Sequence, residues 1–142
     1  MSRPILAKRK RRIPKPAEVT WELVRQLAFA RDGMKCLAAG KGGLRCGGGL
    51  QGAHIYGRGA NPSLAMKLDP DNVVTLCRNH HLFWAHKAPP DYSAWITEVI
   101  GVIRLERLLL KARLAKRLRS RFDHQAHRLW LKAELAYYGG NS

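Results

Sequence analysis

This sequence of 142 residues lacks several features, and each absence excludes a class of protein. It has no run of roughly 18 apolar residues, so no bilayer-spanning helix is expected. The basic N-terminus lacks the apolar segment of a secretory signal peptide, which favours a soluble cytoplasmic protein. Cysteine occurs only 3 times. This odd number suits a disulfide framework poorly and suits metal ligands or free thiols better.

Acidic residues are also few. Asp and Glu total 10 against 26 Lys and Arg, which gives a formal net charge of +16. Such a balance favours a polyanionic partner over a neutral one. Charge alone leaves DNA, RNA and an acidic membrane surface open. The length fits one small domain with extensions.

Residues 1–17 form a basic arm with a run of positive charges from Lys8 to Arg12 and several prolines. Charge repulsion and proline both disfavour a helix here, so the arm is expected to be flexible and to contact phosphates. A helix is predicted after it, because apolar residues repeat at helical spacing. Thr20 is its expected cap and Gly33 its expected end.

The middle of the chain is predicted to contain two strands followed by a helix. Residues 50–56 and 73–76 have the composition of strands, and the segment between them begins and ends with turn-forming residues. A short helix is predicted from Asn79 to the Pro89–Pro90 pair. The expected order is therefore strand, loop, strand, helix.

Residues 101–142 are predicted to form a basic helical extension of a core at residues 18–100. Apolar residues recur at three- and four-residue spacing from Trp95 onwards, and the opposite face is mostly Arg and Lys. Gly101 is expected to divide the first helix. A basic amphipathic helix can be a solvated face, a membrane-surface helix or a nucleic-acid contact.

Four potential metal ligands occur as two pairs, Cys36 with Cys46 and Cys77 with His80. Zinc prefers four N or S ligands in a tetrahedron, and two pairs from distant segments can supply them. The spacing therefore predicts a structural zinc site, which would also order the glycine-rich segment around Cys46. His81 could replace His80 as the fourth ligand. Buried thiols beside a surface histidine are the interpretation without metal.

Three further residues, His54, Asn72 and His81, are informative as a group, although each alone has an ordinary structural explanation. Alone, His54 fits a packed strand histidine, Asn72 a turn former and His81 a helix surface. On a strand, a strand entry and a helix of one compact unit, they indicate a common site.

With RCGGGLQGAHI and DPDNVVTLCRNHH, the chain resembles the HNH endonucleases of the ββα-metal class over roughly residues 31–95. The motif residues and zinc ligands that match are His54, Asn72, His81, Cys36, Cys46, Cys77 and His80. The resemblance implies an α+β fold, in which a small zinc-stabilised HNH core carries an N-terminal helix and basic C-terminal helices.

The resemblance also implies a mechanism. His54 would be the general base that deprotonates a water molecule near neutral pH. One divalent ion, Mg²⁺ or Mn²⁺, would sit at the scissile phosphate with His81 as a ligand and His86 as a further candidate. Asn72 would orient His54 or contact this ion.

One position departs from the family pattern. Many members carry Asp or a second His immediately before the base histidine, whereas this chain has Ala53. The ion would then depend on His81, with His86 or Asp71 as additional ligands, and on substrate oxygens.

The expected function is a metal-dependent DNA endonuclease from a phage or mobile element, active in recombination or DNA processing. The alternative is a catalytically weak or inactive zinc module that binds nucleic acid. DNA is the expected partner, RNA stays open, and neither a membrane partner nor a particular oligomeric state is predicted. Phosphate contacts are expected from Arg9, Arg11, Arg12, Arg58, Arg113 and Arg117.

Overall fold

The computed structural model describes residues 11–56, 63–117 and 121–140. Its regular elements are α1 (Pro16–Arg31), β1 (Leu50–His54), α2 (Leu64–Lys67), β2 (Val73–Cys77), α3 (Arg78–His80), α4 (Pro89–Arg117) and α5 (His124–Gly140). Two 3-10 turns lie at Lys41–Gly43 and Pro70–Asn72, and a π-helical turn, His81–Ala85, follows α3. The fold is therefore small, mixed and mostly helical, and it contains the expected order of strand, loop, strand and helix.

The two strands form an antiparallel sheet. Its register runs from Leu50 opposite Cys77 to His54 opposite Val73. β1 ends two residues earlier than predicted, because the Tyr56 N–H donates to the side chain of Asn72 rather than to a strand. All five residues of β2 are buried, since both faces of the sheet are covered.

Each face of the sheet packs in its own core. One core joins α1, β2 and α5 through Val24, Leu27, Ala28, Leu68, Val73 and Leu131. The other joins the sheet to the π-helical turn and the start of α4 through Ala53, Val74, Leu76, Trp84, Trp95 and Ile96. The sheet is thus placed between α1 on one side and the histidine-bearing turn on the other.

The predicted cap of α1 is wrong. The helix begins at Pro16, four residues before Thr20, and the Glu18 carboxylate accepts the Lys15 N–H at 2.8 Å. Thr20 is fully buried inside the helix. Its hydroxyl oxygen lies 2.9 Å from the Pro16 carbonyl oxygen and 2.9 Å from His124 Nδ1, which connects α1 to α5.

α4 extends on both sides of residue 101, the expected boundary between the core and the helical extension. Gly101 interrupts it with φ 78° and ψ 163°, so the prediction of two helical halves is confirmed. Pro89 and Pro90 begin this helix, where the missing N–H groups of proline cost no helical hydrogen bond. In the described ranges, no helix has the length and apolar character needed to cross a membrane.

Charged contacts attach the second half of α4 to the entry of β2. The Arg104 guanidinium donates to the carbonyl oxygens of Asp71 and Val73. Lys111 Nζ lies 2.8 Å from Asp69 Oδ2 and 3.2 Å from Asp71 Oδ2. The basic face of this half of α4 is therefore partly used inside the fold.

Candidate functional site

The predicted zinc ligands converge at the end of the sheet where Leu50 faces Cys77. The ligand atoms of Cys36, Cys46, Cys77 and His80 all lie within 4.8 Å of one another. His80 Nδ1 is 3.1 Å from Cys77 Sγ and 3.6 Å from Cys46 Sγ. Tetrahedral zinc sets such atoms about 3.6–3.8 Å apart, so this Cys3His cluster is compatible with zinc. His80 is the histidine of this cluster, and the alternative candidate His81 lies outside it.

The backbone selects the coordinating nitrogen of His80. His80 Nε2 lies 3.1 Å from the Lys41 carbonyl oxygen, which can only accept a hydrogen bond. Nε2 therefore carries the ring proton, and Nδ1 directs its lone pair towards the thiols. Such an outer partner is usual for metal-binding histidines.

Glycines after Cys46 let the two ligand pairs approach each other. The Arg78 N–H donates to the Gly49 carbonyl at 2.9 Å, and the Asn79 N–H donates to the Gly47 carbonyl at 3.2 Å. Gly48 has φ 83°, and a Cβ atom there would lie 2.8 Å from Arg78 Cβ. The glycine run is thus required by the close backbone contact as well as by its left-handed conformation.

The thiols of the cluster differ in acidity. Burial alone would raise the pKa of Cys77, but hydrogen bonds from the His80 and Gly47 backbone lower it to about 6. Desolvation, together with charge repulsion and hydrogen bonding from Cys36 and Cys77, raises the pKa of Cys46 to about 11. A bound cation would favour the thiolate form of all three cysteines, so their crowding is consistent with a metal ligand set.

A second group of histidines lines a groove beside the sheet. Its lining includes Trp21, Gln51, His54, His81, His86 and Tyr92. The His54 ring stacks on Trp21 with centroids 4.9 Å apart, and its Nε2 lies 2.9 Å from the Lys67 carbonyl oxygen. The Tyr92 hydroxyl donates to the His54 carbonyl at 3.1 Å. Three separate segments therefore fix the position of His54.

Gly52 makes the stacking contact possible. A Cβ atom at this position would lie 3.1 Å from the Trp21 ring and 3.1 Å from Val73 Cγ1. Contacts this short would push the indole away from the strand. The absent side chain therefore lets Trp21 approach β1 next to His54.

His81 and His86 form a pair in the same groove. Their ring centroids are 4.5 Å apart, and His81 Nδ1 lies 2.8 Å from Gln51 Oε1. Residues five apart point about 140° apart on an α-helix. The π-helical turn changes this, because the His86 N–H bonds to the His81 carbonyl at 3.2 Å and the wider turn brings both rings to one side.

His81 is neutral near pH 7. Burial lowers its pKa to about 4, with further contributions from the neighbouring charges of His86 and His54. Since Gln51 Oε1 accepts from Nδ1, Nε2 carries the lone pair. His81 is thus in the protonation state that coordinates metals.

Asn72 lies at the base of the loop between the strands and is fully buried. Its Oδ1 accepts the Tyr56 N–H at 2.8 Å, while its Nδ2 donates to the carbonyls of Tyr56 at 3.3 Å and Met66 at 3.0 Å. Both ends of the amide therefore bond to backbone. Asn72 closes the loop, and its influence on His54 passes through that loop rather than through a direct hydrogen bond.

Two positions considered for metal binding face elsewhere. Asp71 Oδ2 lies 3.0 Å from Arg107 Nε, and Lys111 lies on its other side, so this carboxylate serves the contact with α4. Ala53 packs in the core with only 2% of its surface exposed. In the described part of the chain, the Cys3His cluster is the one group of three or more close Cys, His, Asp or Glu ligands.

The arginines expected to contact DNA are spread over the chain. Arg9 and Arg58 lie outside the described residues. Arg11 and Arg12 precede α1, and Arg12 pairs with Glu18. Arg113 is exposed on α4, and Arg117 is the last residue of that helix.

Trp21, Gln51 and Tyr92 are groove residues that sequence reasoning missed. Residues 51 and 53 share a face of β1, and position 53 is the one at which the resembled family often has Asp or a second His. Strand alternation could therefore have indicated Gln51. Trp21 and Tyr92 come from helices outside the strand–loop–strand–helix unit, and their helical patterns indicate only core packing.

Comparison with known proteins adds no relative: no family model, no curated protein and no solved structure matches this chain.

Proposed function

We propose that this protein is an HNH-type endonuclease that hydrolyses phosphodiester bonds in DNA, with a structural zinc at the Cys3His cluster. The observation that carries the proposal is the groove that contains an oriented His54 and a neutral His81 paired with His86. The strand, loop, strand and helix order and the loop closed by Asn72 support it. In this proposal the protein acts in the cytoplasm on phage or mobile-element DNA.

The hydrogen bond between His54 and Lys67 supports the role of general base. The His54 Nε2–H donates to the Lys67 carbonyl, so Nδ1 carries the lone pair of the neutral ring. Nδ1 takes a proton from the attacking water as the new P–O bond forms and the bond to the leaving 3′ oxygen breaks. The Lys67 carbonyl then stabilises the imidazolium, much as an acceptor on the second nitrogen does in other histidine bases.

His81 and His86 are the residues that would hold the catalytic metal. A divalent ion bound there would act as a Lewis acid on the phosphoryl and leaving oxygens. Two imidazoles suit Mn²⁺ and later transition metals better than Mg²⁺, which prefers oxygen ligands. Of the two ions that the sequence suggested, the donor atoms of the groove therefore favour Mn²⁺.

A plasmid-nicking assay tests the proposal. Zinc-loaded wild type should nick supercoiled DNA in Mn²⁺, and His54→Ala should lose about 10²–10⁴-fold of the rate with unchanged zinc content. His124→Ala is the matched control, because the side chain of this histidine is also hydrogen-bonded but belongs to the α1–α5 contact. The proposal is wrong if zinc-loaded wild type leaves supercoiled, branched and single-stranded DNA intact in every divalent metal.

A zinc module that binds nucleic acid without cutting it is the second candidate. It is favoured by the burial of Ala53 and by the lack of a third close ligand beside His81 and His86 in the described ranges. If the protein is such a module, it should bind DNA tightly, and His54→Ala should not change this affinity. Neither wild type nor His54→Ala should then nick DNA.

A further inference from the structure

The segment that supplies Cys36 and Cys46 to the cluster is free of acidic residues. No Asp or Glu occurs from Gly33 to Leu68, a stretch that includes two of the three cysteines. Four cations lie next to the cluster, and we refer to them as the zinc-flanking cations: Lys35, Lys41, Arg45 and Arg78. All four are exposed.

The metal ligands place these cations close together. Lys35, Arg45 and Arg78 are each adjacent in sequence to one of the cysteines, and the four ligand atoms lie within 4.8 Å of one another. Neighbouring Cα atoms are about 3.8 Å apart, so the backbone of each of these three residues lies close to the cluster. Lys41 joins them because its carbonyl oxygen accepts from His80 Nε2.

The positive charge of this surface is not neutralised within the described part of the chain. None of the salt bridges there involves a zinc-flanking cation. The nearest carboxylates in sequence are engaged elsewhere, since Asp32 bonds to Arg31 and to the Thr75 N–H, and Asp71 bonds to Arg107 and Lys111. A zinc ion with three thiolates carries about one negative charge, so roughly three positive charges remain.

We propose that the zinc-flanking cations form a second DNA contact that binds backbone phosphates of a duplex. The choice of DNA rests on the proposed endonuclease function, whereas the affinity for phosphate rests on the charge itself. The zinc-flanking cations and His54 lie at opposite ends of β1, a distance of about 13 Å at the rise of a strand. At 3.4 Å per base pair, the zinc-flanking cations therefore meet the duplex about four base pairs from the phosphate at His54.

The test measures binding without hydrolysis. A fluorescein-labelled 20-base-pair duplex is titrated with zinc-loaded protein at several NaCl concentrations, without Mg²⁺ or Mn²⁺ and in the His54→Ala background. Arg45→Ala with Arg78→Ala removes two zinc-flanking cations but keeps the Cβ atom that packs on Gly48. Affinity should fall at least about tenfold, and the slope of log K against log salt should decrease in magnitude by about 2.

The matched control removes the same charge elsewhere. Arg121→Ala with Lys132→Ala deletes two exposed cations near and on α5 and should change affinity by less than about threefold. Arg45→Lys with Arg78→Lys should keep the wild-type salt slope. The proposal is overturned if the two alanine pairs lose affinity for the duplex equally, or if Arg45→Ala with Arg78→Ala loses none. Because no cleavage is measured, an inactive groove would leave this result interpretable.

Discussion

The imidazole of His54 lies against the indole of Trp21, with ring centroids 4.9 Å apart and ring planes inclined by 24°. Trp21 belongs to α1 and His54 to the end of β1. The packing of this helix on the sheet therefore sets the plane of the proposed base, and the Lys67 carbonyl sets its rotation within that plane. A helix that carries none of the motif residues thus contributes to the geometry of the groove.

Replacing Trp21 by alanine should lower kcat for nicking by up to about tenfold and leave KM for DNA nearly unchanged. The stacked pair is worth about 0.5–1.5 kcal/mol, and about 1.4 kcal/mol corresponds to a factor of ten in rate. Trp21→Phe keeps an aromatic face and should retain most of the rate. Steady-state nicking in Mn²⁺ measures both constants. A rise in KM with constant kcat would show that Trp21 binds DNA instead of positioning His54.

Replacing Asn72 by alanine should destabilise the zinc-loaded protein by about 1–3 kcal/mol, because buried backbone groups of Tyr56 and Met66 lose their partner. Urea unfolding measures the change. Asn79→Ala is the control, since the Asn79 side chain makes a single hydrogen bond to the Arg45 carbonyl. Equal destabilisation by the two variants would contradict a special role for Asn72 in closing the loop.

Replacing Cys77 by serine should release zinc and lower Tm by more than about 10 °C. Metal binding contributes to folding when the empty site is disordered, and each kcal/mol shifts Tm by about 4 °C in a domain of this size. Metal analysis and thermal unfolding measure the two effects. Thr75→Ser alters a buried residue of the same strand and should keep the zinc. Loss of zinc at unchanged Tm would show that the cluster does not stabilise the fold.

Replacing His86 by alanine should raise the Mn²⁺ concentration for half-maximal nicking by at least about tenfold, because one imidazole of the His81 pair is removed. The zinc content should stay the same. Lys87→Ala changes the next exposed residue without removing an imidazole and serves as the control. An unaltered Mn²⁺ dependence would exclude His86 as a ligand.

Acid should weaken the contact between α4 and the entry of β2. Burial alone would raise the pKa of Asp71, but Lys111, Arg107 and Arg104 lower it overall. A carboxylate with a lowered pKa stabilises the fold above its unfolded pKa of about 3.9, and this contribution disappears as pH falls through the folded value. Asp71→Asn should therefore flatten the fall in unfolding free energy below about pH 4, by less than about 1 kcal/mol because the pair is partly exposed.

Urea unfolding over a pH series gives the comparison for Asp71. Zinc release in acid occurs in both proteins and cancels in the difference between them. Asp91→Asn, an exposed carboxylate in the first turn of α4, is the control and should follow wild type. If the unfolding free energy of Asp71→Asn falls with pH as steeply as that of wild type, the assigned charge contacts are contradicted.

Local patterns are sufficient to predict the Cys3His cluster and the order of the core elements. The spacing of Cys77 and His80 reflects one helical turn, and the β-branched residues of β2 mark a buried strand. These signals depend on neighbours in sequence. The sequence pattern therefore gives the strand limits to within two residues and identifies the four residues of the Cys3His cluster.

The orientation of the groove residues could not be predicted in this way. His54 depends on a backbone carbonyl at Lys67, which any amino acid would supply, and on a helix 33 positions away in the chain. The start of α1 was misplaced because Thr20 uses its hydroxyl to bond to Pro16 and His124 rather than to cap the helix. Main-chain acceptors and long-range packing leave no local pattern in the sequence.

The wide turn between His81 and His86 makes chain length, more than side-chain identity, the constraint on this segment. Phe83 within it is 51% exposed, so its substitution should leave the turn intact. Insertion of one residue would rotate His86 by about 100° about the helix axis and separate the two rings. Among homologues that share the chemistry, residues 82–85 should therefore vary in composition but should not increase in number.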